Sequence, residues 1–220
     1  MAEAANEKRK RVLDPIDRVS EIIFGLIMAL TFTGSLSAAS AGREEIRTMM
    51  FGALGCNLAW GLVDATMYLV ATLTERARGL TLLRRVRGAA APEDAQAIIG
   101  DALPGRLGEV MGAESLEDMR RKLAALPEPD GRARLGRDDY LGALGVFLLV
   151  VLTTFPVVIP FMLIRETALA MRVSNAVALV TLLAGGYMLG RYSGVAPWRT
   201  GFAMAAIGVV LIAITMALGG

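Results

Sequence analysis

The chain has 220 residues, is 55% hydrophobic and carries 23 basic against 21 acidic side chains, for a net charge of +2; it is too apolar for an ordinary soluble domain of this size. It has no histidine and one cysteine, Cys56, which excludes an intramolecular disulfide, His- or Cys-built zinc, copper or haem sites, and Ser–His or Cys–His nucleophile pairs. There is no phosphate-binding glycine loop or nucleotide fingerprint, which argues against ATP-driven pumping by this chain alone, and no nucleophile–base pair points to an enzyme.

Residues 1–18 form a polar arm with the basic run KRKR at 8–11. Beside an apolar segment such a run reads as a topology determinant near anionic headgroups and not as a nucleic-acid contact. Five apolar stretches of about membrane-spanning length follow, at 22–39, 48–74, 140–164, 173–190 and 200–220. They are continuous and do not alternate with period two, so they predict helices and not barrel strands. The expected fold is all-α: a polytopic membrane protein of five transmembrane helices, with helices 1–2 in residues 19–74 and helices 3–5 in 140–220. Residues 35–42 (SLSAASAG) have the look of a signal-peptidase site. The acidic residues of the preceding arm are foreign to a signal peptide, so the first helix is expected to be retained.

Ser20 or Asp17 is the expected cap of the first helix. On that helix Glu21, Gly25, Met28, Phe32 and Ser35 share one face. Residues 42–47 form a short turn, which makes the first two spans antiparallel neighbours.

Only the second span contains a charge, Asp64. A carboxylate at that depth costs roughly 2.5–3.5 kcal/mol on insertion scales, so it normally faces a partner or a water-filled path. At 100° per residue Asn57, Asp64, Ala71 and Glu75 fall within about 40° of one another, a stripe of oxygen ligands suited to a cation or proton. Met67, about 60° from Asp64 on the same wheel, and Met28 are soft neighbours. The plainer alternative is a carboxylate hydrogen-bonded between helices for packing alone, with the methionines filling the core.

Residues 75–139 are the sizeable extramembrane segment, read as three helices: 75–87 continuing the second span, 92–103 opening on proline, and 115–126 opening on S-L-E-D, close to a capping box. Glu109, Met111, Glu114, Glu117 and Asp118 form a possible cytosolic metal site, although Arg120, Arg121 and Lys122 interleave with them as on an ordinary solvated face. The third span holds Thr153, Thr154, Pro156 and Pro160. Two prolines four apart remove two backbone donors, which predicts a kink. The glycines at 185, 186 and 190, and at 201, 208, 219 and 220, read as close helix packing, with a homodimer contact as a second use.

Of the 23 basic residues, five lie in 1–18, twelve in 76–137 and two at Arg191 and Arg199. With five alternating spans these 19 share one side, against Arg43, Arg47, Arg165 and Arg172 on the other. The positive-inside rule then places the N-terminus and residues 75–139 in the cytosol and the C-terminus outside. The localisation expected is a cell (inner) membrane.

The order of elements, with SEIIFGLIMALTFTGSL at 20–36, NLAWGLVDATMYLVATLTE at 57–75, and the stretches 144–163 and 200–220, resembles the vacuolar iron transporter family. The resemblance implies a homodimeric carrier that moves ferrous iron or manganese out of the cytosol in exchange for protons, with no permanently bound cofactor. It implies a path residue at Glu21, the acid that follows Ser20. At the family's second-helix acid and methionine positions this chain has Asn57 and Ala65, with Asp64 one residue earlier. Where the family's insertion carries Glu-x-x-Glu pairs, this chain has Arg76, Arg78, Arg84, Arg85 and Arg87. The expected path is therefore Glu21, Asn57, Asp64, Met67, Glu75 and Met28, and the partners are the bilayer, a second copy, a divalent cation and a proton. The competing readings are a non-transporting membrane scaffold and a carrier of another ion or solute.

Overall fold

The structure, a computed structural model, describes residues 14–34, 42–104, 106–127 and 131–218. Among these residues there are only helices: α1 Pro15–Gly34, α2 Arg43–Arg87, α3 Pro92–Ala102, α4 Leu107–Val110, α5 Ala113–Ala125, α6 Arg137–Leu152, α7 Thr154–Leu163, α8 Thr167–Ser193 and α9 Pro197–Leu218. Four stretches are long and apolar enough to cross a membrane: Glu44–Arg87, Arg137–Leu163, Thr167–Ser193 and Pro197–Ala217. The first expected span corresponds to α1, which carries Asp17, Arg18 and Glu21 and is not among the four. Its expected end, residues 35–39, lies outside the described residues, as do most of the arm at 1–18 and the glycines at 219 and 220.

Two compact units form, Met1–Tyr68 with Asp138–Gly220, and Leu69–Arg137. In the first, the buried face of α1 (Val19, Ile23, Leu26, Ala29 and Leu30) meets Val157 of α7 and Ala178 and Leu182 of α8. Of the glycines read as packing residues, Gly185, Gly186, Gly190, Gly201 and Gly208 are buried. A Cβ on Gly186 would come within 2.8 Å of the Thr200 carbonyl oxygen, so α8 and α9 touch almost backbone to backbone. The turn between them closes at Gly194, whose φ of 75° suits the residue without a Cβ, and the amides of Gly194 and Val195 both donate to the Gly190 carbonyl. Pro197 then opens α9.

Helix starts differ from expectation by a few residues. Asp14 caps α1, its Oδ1 accepting from the Ile16 amide at 2.9 Å, ahead of Asp17 and Ser20 because Pro15 already takes the first helical position. α2 begins within the expected turn, where the Glu45 carboxylate reaches back to the Gly42 amide. α5 begins at Ala113 after Gly112, so Ser115 lies inside its first turn and caps nothing; its amide bonds the Gly112 carbonyl instead.

The 45 residues of α2 extend about 68 Å at 1.5 Å per residue, more than twice a hydrocarbon core of about 30 Å. In the second unit the last turns of α2 carry Val86, which packs with Ala95 and Ile99 of α3 and with Leu116, Met119 and Leu123 of α5. Three arginines of the same tail donate to backbone carbonyls: Arg76 to Arg134 and Arg84 to Gly131, each at 2.6 Å, and Arg87 to Leu123 at 3.2 Å and to Leu126. These guanidinium groups close the open carbonyls at the end of α5 and in the strand-free return chain.

Candidate functional site

The third expected span is interrupted at a single residue, Thr153, between α6 and α7. Pro156 and Pro160 supply no amide to the carbonyls four residues back, those of Leu152 and Pro156. Hydroxyls gather at the break: Thr153 donates to the Val150 carbonyl at 2.8 Å, and Ser174 of α8 donates to that of Val157 at 2.7 Å.

Asn57 of α2 enters this region fully buried. Its Nδ2 donates to the Gly25 carbonyl of α1 at 3.1 Å and to the Thr154 hydroxyl oxygen of α7. A carbonyl only accepts, so the amide nitrogen must face Gly25. That leaves Oδ1 buried with no partner. Gly25 makes the close approach possible, since a Cβ there would lie 2.2 Å from the Thr153 hydroxyl oxygen and 2.9 Å from the Val150 carbonyl oxygen.

One turn along α1, Glu21 lies within electrostatic reach of Asp64 and Asp17. Asp64 stands two turns from Asn57 on α2, about 10 Å along the axis, and its Oδ2 is also buried without a hydrogen-bond partner. Glu21 and Asp64 are both half-buried. An unmet buried oxygen is costly, and water, a proton or a cation relieves it.

The structure thus brings Asn57 to Gly25 and Thr154, and leaves Glu21 within electrostatic reach of Asp64. It does not gather the whole expected path. Met28 is half-buried on α1, while Met67 is 57% exposed in the isolated chain. Glu75 is exposed and belongs to the second unit. Thr154 and Gly25 were missing from the expected ligand stripe; the signal for Thr154 was its place beside two prolines, but nothing in the sequence pairs it with Asn57.

In the second unit the Glu117 carboxylate binds Arg120 at 2.8 and 2.9 Å, Arg121 at 3.0 Å and Gln96 of α3 at 3.1 Å. The hydrogen bonds, that of Arg120 foremost, lower its pKa from 4.5 to about 2. Asp118 pairs with Lys122 at 2.6 Å, Glu114 is exposed and Met111 is half-buried. The Glu109 side chain lies outside the described residues. Among the described residues, no three Cys, Asp or Glu side chains gather as they would around a metal ion.

Residues 111–220, half of the chain, match the model of the VIT family. No curated protein matches the chain. The matched region runs from α5 to α9 and includes Thr154 and the proline-bearing break, whereas Glu21, Asn57 and Asp64 precede it.

Proposed function

The chain belongs to the VIT family, and on that footing we propose that it is a secondary membrane transporter, not an enzyme, carrying a divalent transition metal, ferrous iron or manganese, out of the cytosol in exchange for protons. The observation that carries this reading is the buried, partnerless Oδ2 of Asp64 on α2, with a second half-buried acid, Glu21, on α1, the helix to which Asn57 fastens α2. Two carboxylates within reach of one another repel unless a proton or a cation stands between them, so the pair has a use for either cargo. Oxygen ligands suit ferrous iron and manganous ion. The unmet Oδ1 of Asn57, deeper along α2, gives the ion or its water a second oxygen on the way.

In this reading α1 is the fifth span, the N-terminus and residues 75–139 are cytosolic, the C-terminus lies outside, and two copies form the carrier in a cell membrane. The skew of the basic residues supports that orientation. The path proposed is Glu21, Asp64, Asn57 and Thr154, with Met28 beside it. Met67 and Glu75 join it only where a second copy or the cytosolic entrance completes it.

The test is manganese uptake into proteoliposomes of the full chain, with an internal metal indicator and an imposed pH gradient. Uptake that needs the gradient, and that collapses in Glu21→Gln and in Asp64→Asn while both variants insert and elute like wild type, is the expected result. Undiminished uptake in both variants would remove these carboxylates from the path.

A further inference from the structure

At the other end of the first unit from Glu21, the first turns of α2 and the end of α7 enclose a cavity of about 480 Å³ lined by Glu44, Ile46, Arg47, Met50, Phe161, Met162, Ile164 and Arg165. Five of these eight are apolar, from buried Phe161 to exposed Met162. The two arginines come from different elements and face one space. Arg47 is steadied by the Phe51 ring, 5.7 Å from its guanidinium carbon. Neither arginine forms an ion pair with a described residue.

We propose that this cavity binds an anionic phospholipid, its phosphate held by Arg47 and Arg165 and the start of one acyl chain lying on Met50, Phe161 and Met162. Guanidinium groups match phosphate oxygens in shape and charge. The position selects a lipid over a soluble anion: Glu44 and Leu163 are the ends of two membrane-length stretches, so the cavity straddles the boundary between polar helix ends and apolar span. An acyl chain covers the apolar part of the lining, where a small anion leaves it bare. Glu44 sets the geometry by repelling the phosphate, which is therefore held on the arginine side. Two cations at the rim also disfavour a metal cation here, so this site is separate from the proposed path and does not depend on it.

The experiment is native mass spectrometry of the full chain from neutral detergent containing phosphatidylglycerol and phosphatidylcholine, counting lipids retained per protomer. Wild type should keep one phosphatidylglycerol in preference to phosphatidylcholine. Retention should fall about ten-fold in Arg47→Gln/Arg165→Gln and persist in Arg191→Gln/Arg199→Gln at the α8–α9 turn. Glu44→Gln, which removes the opposing charge, should raise retention, a readout that stands even if the arginine pair is needed for folding. Water-soluble glycerol phosphate should not displace the lipid. Equal retention in the Arg47/Arg165 pair, equal loss in the Arg191/Arg199 pair, no change in Glu44→Gln, or displacement by glycerol phosphate would each overturn the proposal.

Discussion

Asn57 donates its amide to the Gly25 carbonyl at 3.1 Å, and so a polar side chain of α2 is fastened to the backbone of α1 at a point where α1 has no side chain at all. The same nitrogen reaches Thr154 of α7. One residue therefore ties three helices, and its oxygen is left over. Replacing it removes the tie, with different consequences for different replacements. Asn57→Leu should keep the volume and lose about 1–3 kcal/mol of stability, through the lost bonds and the orphaned Thr154 hydroxyl. Asn57→Asp should be worse, because an acceptor then faces the Gly25 carbonyl. The midpoint of unfolding in detergent mixtures, followed by tryptophan fluorescence, orders the three proteins.

Gly25 supplies a sharper steric test. A Cβ there meets the Thr153 hydroxyl oxygen at 2.2 Å and the Val150 carbonyl oxygen at 2.9 Å. The first contact yields to truncation of Thr153, while the second is backbone and does not. Gly25→Ala should therefore cost about 1–3 kcal/mol as an overpacked core site, and Gly25→Ala/Thr153→Ala should recover only part of that. Full recovery would mean that the backbone of α6 moves away freely.

Glu117 gives the second unit a pH-sensitive contact. Its pKa is lowered from 4.5 to about 2 by Arg120, Gln96 and Arg121. For a depressed carboxylate the unfolded state binds the proton more readily, so stability falls as pH falls. The contribution is complete above about pH 4.5 and disappears between there and about pH 2. Carbon NMR of the labelled full chain should show the Glu117 carboxyl titrating near the lower value, and Arg120→Gln should move the midpoint upward. Glu117→Gln should loosen α5 at pH 6, seen as faster amide exchange, and make no difference near pH 2.

How far the sequence could be read depended on whether a residue's role was local. The long apolar stretches and the charged tail of α2 follow from composition and periodicity; the prolines marked the region of the break at Thr153, while α7 runs helically through Pro156 and Pro160. The small-residue seam of Gly185, Gly186, Gly201 and Gly208 was legible as well. Helix starts were less so, since Asp14, Asp17 and Ser20 all suit an N-cap and only the position of Pro15 decides among them. What could not be read was pairing across the chain. Asn57 and Thr154 are 97 positions apart, and no periodicity relates them. The arginines of the α2 tail looked like excess charge displacing metal-binding acids; Arg76, Arg84 and Arg87 instead hold backbone carbonyls 36 to 58 positions away.

That pairing makes its own prediction. Arg87 reaches the carbonyls of Leu123 and Leu126 at the end of α5, whereas Arg85, which is exposed, has no such bond to a described residue. Arg87→Ala should speed amide exchange in α5 and lower the unit's stability by about 1–3 kcal/mol, while Arg85→Ala should change neither. Arg87→Lys should recover little, because one ammonium on a flexible stem does not reproduce the planar fork. Equal effects at 85 and 87 would show that net charge on the tail, and not the carbonyl contacts, is what matters.

Asp64 carries the last and most consequential prediction. Its Oδ2 is buried without a partner and its charge reaches Glu21, so the two acids should act as a unit in transport. Asp64→Asn keeps the shape and removes the charge and the titrating proton. If the pair holds one proton or one cation between them, Glu21→Gln and Asp64→Asn should each abolish most manganese uptake, and the double variant should be scarcely worse than either alone. Independent ligands would instead give losses that multiply. Asp64→Glu retains the oxygens with a longer reach and should keep part of the activity. Structure and transport are separable here: because the oxygen has no partner to lose, Asp64→Asn should be at least as stable as wild type. A variant that is more stable but inactive identifies a carboxylate kept for transport, whereas a destabilised one would make Asp64 a packing residue with a bond partner that the fold conceals.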